Sequence, residues 1–544
     1  MIERKFKNES PQTSNSYQTY ARRSNQETYT KMHAVGGFLG CRIARWQPVD
    51  NQGSRQDQNG LCTQRPQGGG RSINPRTSKD KESSAGDNAA GVGTNPVLRR
   101  RKTPAWEATI NLGATLEQTV RHFFPRLPKW LGNIVDTRRS EQIIYDKKFL
   151  SWMGFMMFLL KLGSRRRIGF ELDSPLALEN LNRLSECCQE DMPHPDTMDH
   201  FLGHVVPGQF DKVLHNMVQR LIRMKALDHG RMLGYFMIAL DGTGQLTFKD
   251  RHCEHCLHKK VHGKIIYYHH VLEAKLITPD GLAISVGTEF IENTDPAASK
   301  QDCELKAFAR LAPRLKKNFP QLQICLTMDG LYANGSAMSI CMKYHWKYIT
   351  VFKAGSMPAV WQEYQTLLDL CPDNRKTYLL DNADRQDFSW VENLRYTDDQ
   401  GRDQCFNAFQ CSEQTGNDTH FFAWMTNFDL HADNIETLAN KGGRCRWKIE
   451  NEGFNIQKNG GFNLEHAYSE TNCKIKNYYT LMQIAHLMLQ LLERGNLLPK
   501  DCKKLFGSLR VLATRLSESI RNHLIALYVT SNPAERIQIR LDSS

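Results

Sequence analysis

YFMIALDGTG, residues 235–244, and QICLTMDGLY, residues 323–332, share one pattern: a short apolar run closes on an aspartate followed by glycine, Asp241-Gly242 and Asp329-Gly330. Apolar runs of this length, bounded by a turn-forming dipeptide, suit buried strands. Each aspartate is therefore expected at a strand end, where a carboxylate stays half-buried yet still reaches solvent and a cation. The glycine after it lets another chain approach closely. Asp-Gly is also a strong hairpin-turn signal, and for either aspartate taken alone that plainer reading stands beside the first.

A third acid lies far downstream. RCRWKIENEGF, residues 444–454, reads as helix, with Trp447, Glu450 and Phe454 at i, i+3 and i+7, so Glu450 falls between two aromatic anchors on one inward face. A charge turned toward a core is costly unless it is paired or bound to a metal. Arg446, one turn earlier, offers an ordinary salt bridge as the alternative to a metal. Glu452 points about 200° away on the helical wheel and is the weaker candidate. Two strand-end aspartates and a helical glutamate, once gathered, can hold two divalent cations, which suits the cutting and joining of phosphodiester backbones.

The text around these acids fixes the fold class. From residue 233 the order is YFMIALDG, KIIYYHHVLEAKLIT and LAISVGTEFI as strands, then KQDCELKAFARLAPRLKK as helix, QICLTMDG as strand, ANGSAMSICMKYH as helix and KYITVFKA as strand. Three strands in hairpin order followed by helix, strand, helix, strand describe an α/β domain with a mixed sheet, the order expected of a ribonuclease H-like core over 233–355. Residues 356–432 read as a β-rich insertion (TYLL, FSWVENLRY, CFNAFQC, HFFAWMTNF), 433–495 as the catalytic helix and the end of the core, and 496–544 as a C-terminal helical tail.

Ahead of the core, residues 104–232 carry apolar residues at three- and four-residue steps, with helix starts marked at Ser174-Pro175 and Pro195-Asp196. A helical domain is expected there, suited either to binding DNA ends or to supporting the core. Residues 1–103 are polar and without period, the composition of a disordered leader. They hold most of the charge: residues 1–102 carry 18 Lys or Arg against 8 Asp or Glu, while the whole chain has net charge +13. The basic balance thus describes a tail more than a binding groove. Fifteen cysteines without a small-scaffold spacing, and no apolar signal core at MIERKFKNES, point to a reducing, cytoplasmic setting. The run FLSWMGFMMFLLKLG from Phe149 is broken by Lys161 and followed by three arginines, so a buried core helix is expected and not a membrane span.

The strings LDGTG, TMDGLYANG and RCRWKIENEGFNIQKN, in this order and with a β-like segment before the last, resemble the DDE transposases of bacterial insertion sequences, the insertion-sequence-four-like group. The likeness covers about residues 234–489. In that group the final acid sits in a signature of tyrosine, arginine, glutamate and lysine. Arg446 and Glu450 match its spacing, whereas Gly443 stands at the tyrosine position and Gln457 at the lysine position, with Lys458 one place later.

The resemblance implies Asp241, Asp329 and Glu450 as catalytic and metal-binding residues holding two Mg²⁺ ions, with Mn²⁺ as a substitute. Water then attacks the phosphodiester at the element end, and the freed 3′-hydroxyl attacks target DNA. It implies double-stranded DNA as partner, both terminal repeats and target, a homodimer in the synaptic complex and a place at the nucleoid. Arg446 and Lys458 would meet DNA, and Trp390 or Trp424 of the β insertion would meet a flipped base. A hydrolysis-only nuclease keeps the same acids. A regulatory DNA-binding protein would leave them structural.

Between the first two strands, DRHCEHCLHKKVHGK presents Cys253 and Cys256 as C-x₂-C among four histidines. Two thiolates with His258 and His262 would make a tetrahedral Zn²⁺ set of structural character. A reduced, solvent-near loop is the plainer reading.

Overall fold

Alternation along two strands decides which helices cover the sheet. On β1 (Phe236–Phe248) and β5 (Ile324–Met328), residues two apart share a face. Phe236, Ile238 and Leu240 join Ile324, Leu326 and Met328 in one buried cluster, while Met237 and Ala239 join Cys325 in another. Continued by one step, the second pair of rows reaches Asp241 and Asp329. The computed structural model describes residues 111–294, 300–380, 384–398, 400–498, 506–525 and 539–541. The leader expected over 1–103 lies outside them.

β3 (Lys264–Ile277) runs antiparallel to β1, from Ile238↔Leu276 to Phe248↔Tyr267, and pairs on its other edge with β2 (Leu257–Val261) and β4 (Ala283–Ile291). Helix α8 (Glu304–Asn318) leads from β4 to β5, and α9 (Gly335–Lys343) from β5 to β6 (Lys347–Val351). β1, β5 and β6 are mutually parallel. Helix α10 (Pro358–Leu370) then opens the stretch expected as a β-rich insertion, followed by β7 (Arg375–Leu379), β8 (Arg385–Thr397), β9 (Asp403–Thr415) and β10 (Asp418–Thr426). This stretch is not a sheet of its own. β10 pairs antiparallel with β6 at Trp424↔Val351, giving one ten-stranded mixed sheet ordered β2-β3-β1-β5-β6-β10-β9-β8-β7, with β4 on β3.

The helices before the sheet are α1 (Leu112–Phe123), α2 (Leu127–Gly132), α3 (Lys147–Leu159), α4 (Arg166–Glu171), α5 (Pro175–Ser185), α6 (Pro195–His204) and α7 (Gln209–Arg223). Both expected starts hold: Ser174 caps α5 by accepting from the amide of Ala177, and Pro195 is the first residue of α6. Every residue of α3 from Phe149 to Leu159 is buried. No helix among the described residues is long and apolar enough to cross a membrane.

Two helices follow the site: α12 (Asn472–Arg494), buried nearly all round from Ile475 to Leu492, and α13 (Leu509–Asn522). α12 packs on α3, α6 and α7, and Gln490 accepts from the amide of Ala283 at the start of β4 (2.7 Å). The helical segment ahead of the sheet and the tail behind it therefore share one core. A helix buried on all sides cannot hold its place alone, and each of its apolar side chains contributes about 1.5–3 kcal/mol only when both neighbours are present.

The element carrying Glu450, α11, spans 435–459 and is not a regular helix. Turns of α, π and 3₁₀ type succeed one another, with π geometry over Leu438–Gly442 and Ile449–Asn455. Ile435, Leu438, Ala439, Ile449 and Phe454 lay it across the face that bears Met237, Ala239 and Cys325.

Candidate active site

The last parallel pair between β1 and β5 is Leu240↔Met328, so the next residue on each strand is an aspartate, Asp241 beside Asp329. Neighbouring strands lie about 4.8 Å apart, and the register alone makes these acids neighbours on one face. Their backbones then part. β5 stops, and Asp329 turns the chain by accepting from the amide of Leu331 (3.0 Å). β1 runs on for seven residues because antiparallel β3 keeps pairing with it. Asp241 is thus not at a strand end, as expected from Asp-Gly, but in mid-strand where the parallel neighbour gives out, and no hairpin turn forms there.

Gly242 is required for space, not for turning. A β-carbon there would lie 2.3 Å from Glu304 Oε1 and 2.6 Å from His270 Nε2.

α11 lies over this spot and supplies Arg446 and Glu450. Arg446, only 4% exposed, donates from Nη1 to Asp241 Oδ2 (3.0 Å) and from Nη2 to Glu450 Oε1 (2.9 Å). The salt bridge weighed as the alternative to a metal is present, but its guanidinium joins two of the three candidate acids. The flanking aromatics differ from expectation: Phe454 is in the core, while Trp447 is only partly buried and carries the Arg446 guanidinium over its ring (4.4 Å). Trp447 ends a 3₁₀ stretch (Gly443–Trp447) and Phe454 lies in the π turn Ile449–Asn455, so the two do not keep the 3.6-residue spacing that a shared face needs.

Glu304, the first residue of α8, is a fourth acid here. It meets His270 (3.2 Å) and the Tyr332 hydroxyl (3.4 Å). Burial holds the Asp241 carboxyl well above the usual carboxylate range; Arg446 pulls it down, and Glu450, Asp329 and Glu304 push it further up. Asp329 is raised by burial too, against Arg446 and with Glu304. Lys353, just past β6, is within electrostatic reach of Asp329 and Arg446. Four carboxyl groups face Arg446 and Lys353, and every acidic donor is an oxygen, a set that fits hard divalent cations, which favour the ionised form of the buried aspartates. Among the described residues the oxygens of Asp241, Asp329 and Glu450 do not all lie within 4.8 Å of one another, since Arg446 stands between two of them.

The other candidates fall elsewhere. Gly443 has no room for a side chain, because a β-carbon would meet Trp424 Nε1 at 2.3 Å. Gln457 is buried and donates to Gln483 Oε1 (2.8 Å). Lys458 pairs with Glu465 (2.8 Å) on the surface. Trp390 and Trp424 pack in the core with Phe388 and Phe409.

In the Cys-His loop, Cys253 and Cys256 do come together, with their sulfurs 3.7 Å apart, but His258 and His262 do not join them. The cause is an unforeseen hairpin. His262 and Gly263 both take positive φ (48° and 80°) as the two-residue turn between β2 and β3, which leaves His258 and His262 exposed. The imidazole that reaches the thiols is that of His269, on β3. The twelve described cysteines whose pairing is settled are free thiols. No protein-family model matches the chain, and no curated protein is significantly similar to it.

Proposed function

We propose that this chain is a DDE-type DNA transposase with a ribonuclease H-like core, which cleaves element ends and transfers the 3′-hydroxyl ends to target DNA. The observation that carries this reading is the double salt bridge of Arg446 to Asp241 and Glu450, together with the register that makes Asp329 the neighbour of Asp241. Asp241 and Glu450, about two hundred residues apart in the chain, share one guanidinium, and Asp329 stands on the adjacent strand, an accumulation of half-buried acids that packing alone does not call for. The strand order β4-β3-β1-β5-β6, antiparallel then parallel, supports the core assignment.

A pair of Mg²⁺ ions held by Asp241, Asp329 and Glu450 would supply an activated water and neutralise the leaving oxygen of the phosphodiester. The protein's own residues hold that chemistry in place. Asp241 and Asp329 offer oxygens from adjacent strands whose relative position is fixed by backbone hydrogen bonds. Arg446 orients Asp241 and Glu450 and puts a permanent positive charge beside the reacting phosphate. Lys353, exposed just past β6, adds a second cation within electrostatic reach of Asp329. Glu304, tied to His270 and Tyr332, keeps the local charge negative enough to demand divalent ions.

The test is to supply the purified chain with Mg²⁺, DNA carrying the sequences that flank its own gene, and a target plasmid. Joined products are expected. Cleavage without joining would reduce the reading to a nuclease, and DNA bound but left intact by wild type and Asp241→Asn alike would leave a DNA-binding protein only.

A further inference from the structure

The sulfurs of Cys253 and Cys256 are 3.7 Å apart, and each lies 3.5 Å from Nε2 of His269. A tetrahedral zinc with Zn–S of about 2.3 Å and Zn–N of about 2.0–2.1 Å requires edges of about 3.8 Å between sulfurs and about 3.6 Å from sulfur to nitrogen. All three edges are met at once. A disulfide would need the sulfurs at about 2.05 Å. A hydrogen-bonded trio would rest on weak S–H donors and does not by itself call for the tetrahedral edges that all three distances meet. We propose that Cys253, Cys256 and His269 bind a structural Zn²⁺ ion.

The donors suit that ion and not the cations of the acid cluster: thiolate and imidazole favour zinc, carboxylates favour magnesium. Cys256 and His269 are 3% and 4% exposed and Cys253 is half-buried, so the protein shields most of the site. His252 is engaged elsewhere, with Nε2 against the carbonyl of Glu470 (2.7 Å), and among the described residues the donor group consists of these three side chains.

Zinc here would tie the loop between β1 and β2 to β3, beside the point where the β1–β3 register shifts between Gly244 and Leu246. The next residue of β3, His270, reaches Glu304. Fixing His269 therefore fixes the strand that positions the acid behind Gly242. The proposal needs no part of the transposase reading, since it concerns a different donor set with its own readout.

The full-length chain, purified reduced and reconstituted with zinc, is expected to retain about one ion per chain. Cys253→Ser and His269→Ala are expected to fall to background, while His258→Ala and His262→Ala keep full content. If the ligand variants fail to fold, the wild type still decides. Zinc should slow alkylation of Cys253 and Cys256 by at least about tenfold, reversed by a chelator, while the exposed Cys188 and Cys405 label at an unchanged rate. Wild type that holds no zinc, labelling indifferent to zinc, or zinc content lost in His258→Ala or His262→Ala instead would overturn the proposal.

Discussion

Asp241 on β1 and His269 on the neighbouring β3 belong to two donor clusters of one ribbon, built on opposite terms. Around His269 two sulfurs and a nitrogen already stand at tetrahedral spacing, screened from solvent. Around Asp241 the donors are oxygens, crowded in charge yet kept from closing by Arg446, with Asp241 and Glu450 18% and 28% exposed at their side chains. A largely shielded soft set retains its ion and stiffens a fold. An open, over-charged set is one in which ions and substrate oxygens can exchange, and chemistry needs that freedom.

The largest effect should come from the acids. Asp241→Asn and Glu450→Gln are each expected to lower Mg²⁺-dependent DNA cleavage by at least about 10³-fold, about 4 kcal/mol of barrier, with zinc content unchanged. If zinc were lost as well, the two clusters would be one unit and the contrast would break. Next is Arg446→Ala, which strips two partly buried carboxylates of their partner and should cost about 3–5 kcal/mol in urea unfolding. Part of that loss should return on adding Mg²⁺. Gly443→Ala, forced against Trp424, should cost about 1–3 kcal/mol by overpacking and leave the thiol cluster untouched.

The acid cluster should also show in the pH dependence of stability. Asp241 is held above its ordinary value of 3.8, so the folded chain keeps a proton that the unfolded chain releases. Its contribution to stability is complete below that value and is lost as pH rises from there through the folded value. Urea midpoints measured with pH should fall over that window in wild type and less steeply in Asp241→Asn or with Mg²⁺ present. The smallest effect is expected of Lys458→Ala, under about 1 kcal/mol, since its ion pair with Glu465 is exposed. A loss of DNA affinity without a loss of stability would return Lys458 to the phosphate role that the resemblance implies.

The sequence carried the three acids because local patterns mark them: two apolar alternations that end on Asp, and a Glu one turn from an Arg. It also carried most strands and helices, including the buried α3. Features set by partners distant in the chain were not legible. Asp241 sits in mid-strand because β3 continues past it, and no property of YFMIALDGTG states how long β3 is. His269 lies outside the Cys-His string, and only the β2–β3 hairpin turns His258 and His262 away from the thiols. The adjacent pair His269-His270 was the available signal, since alternation on a strand sends one ring to each face. Glu304 looks like any acid in the first turn of a helix. The 3₁₀ and π turns of α11 break the three- and four-residue steps on which a single inward face depends, and Trp447, at the end of the 3₁₀ stretch, is less buried than those steps imply.

Manganese binding followed by electron paramagnetic resonance tests the central claim most directly, because paired ions about 4 Å apart give a spin-coupled signal. Wild type should bind two coupled Mn²⁺ ions, Asp241→Asn should lose the coupled signal, and Cys253→Ser should keep it. Absence of manganese binding in wild type, or a coupled signal that survives Asp241→Asn, would contradict the account.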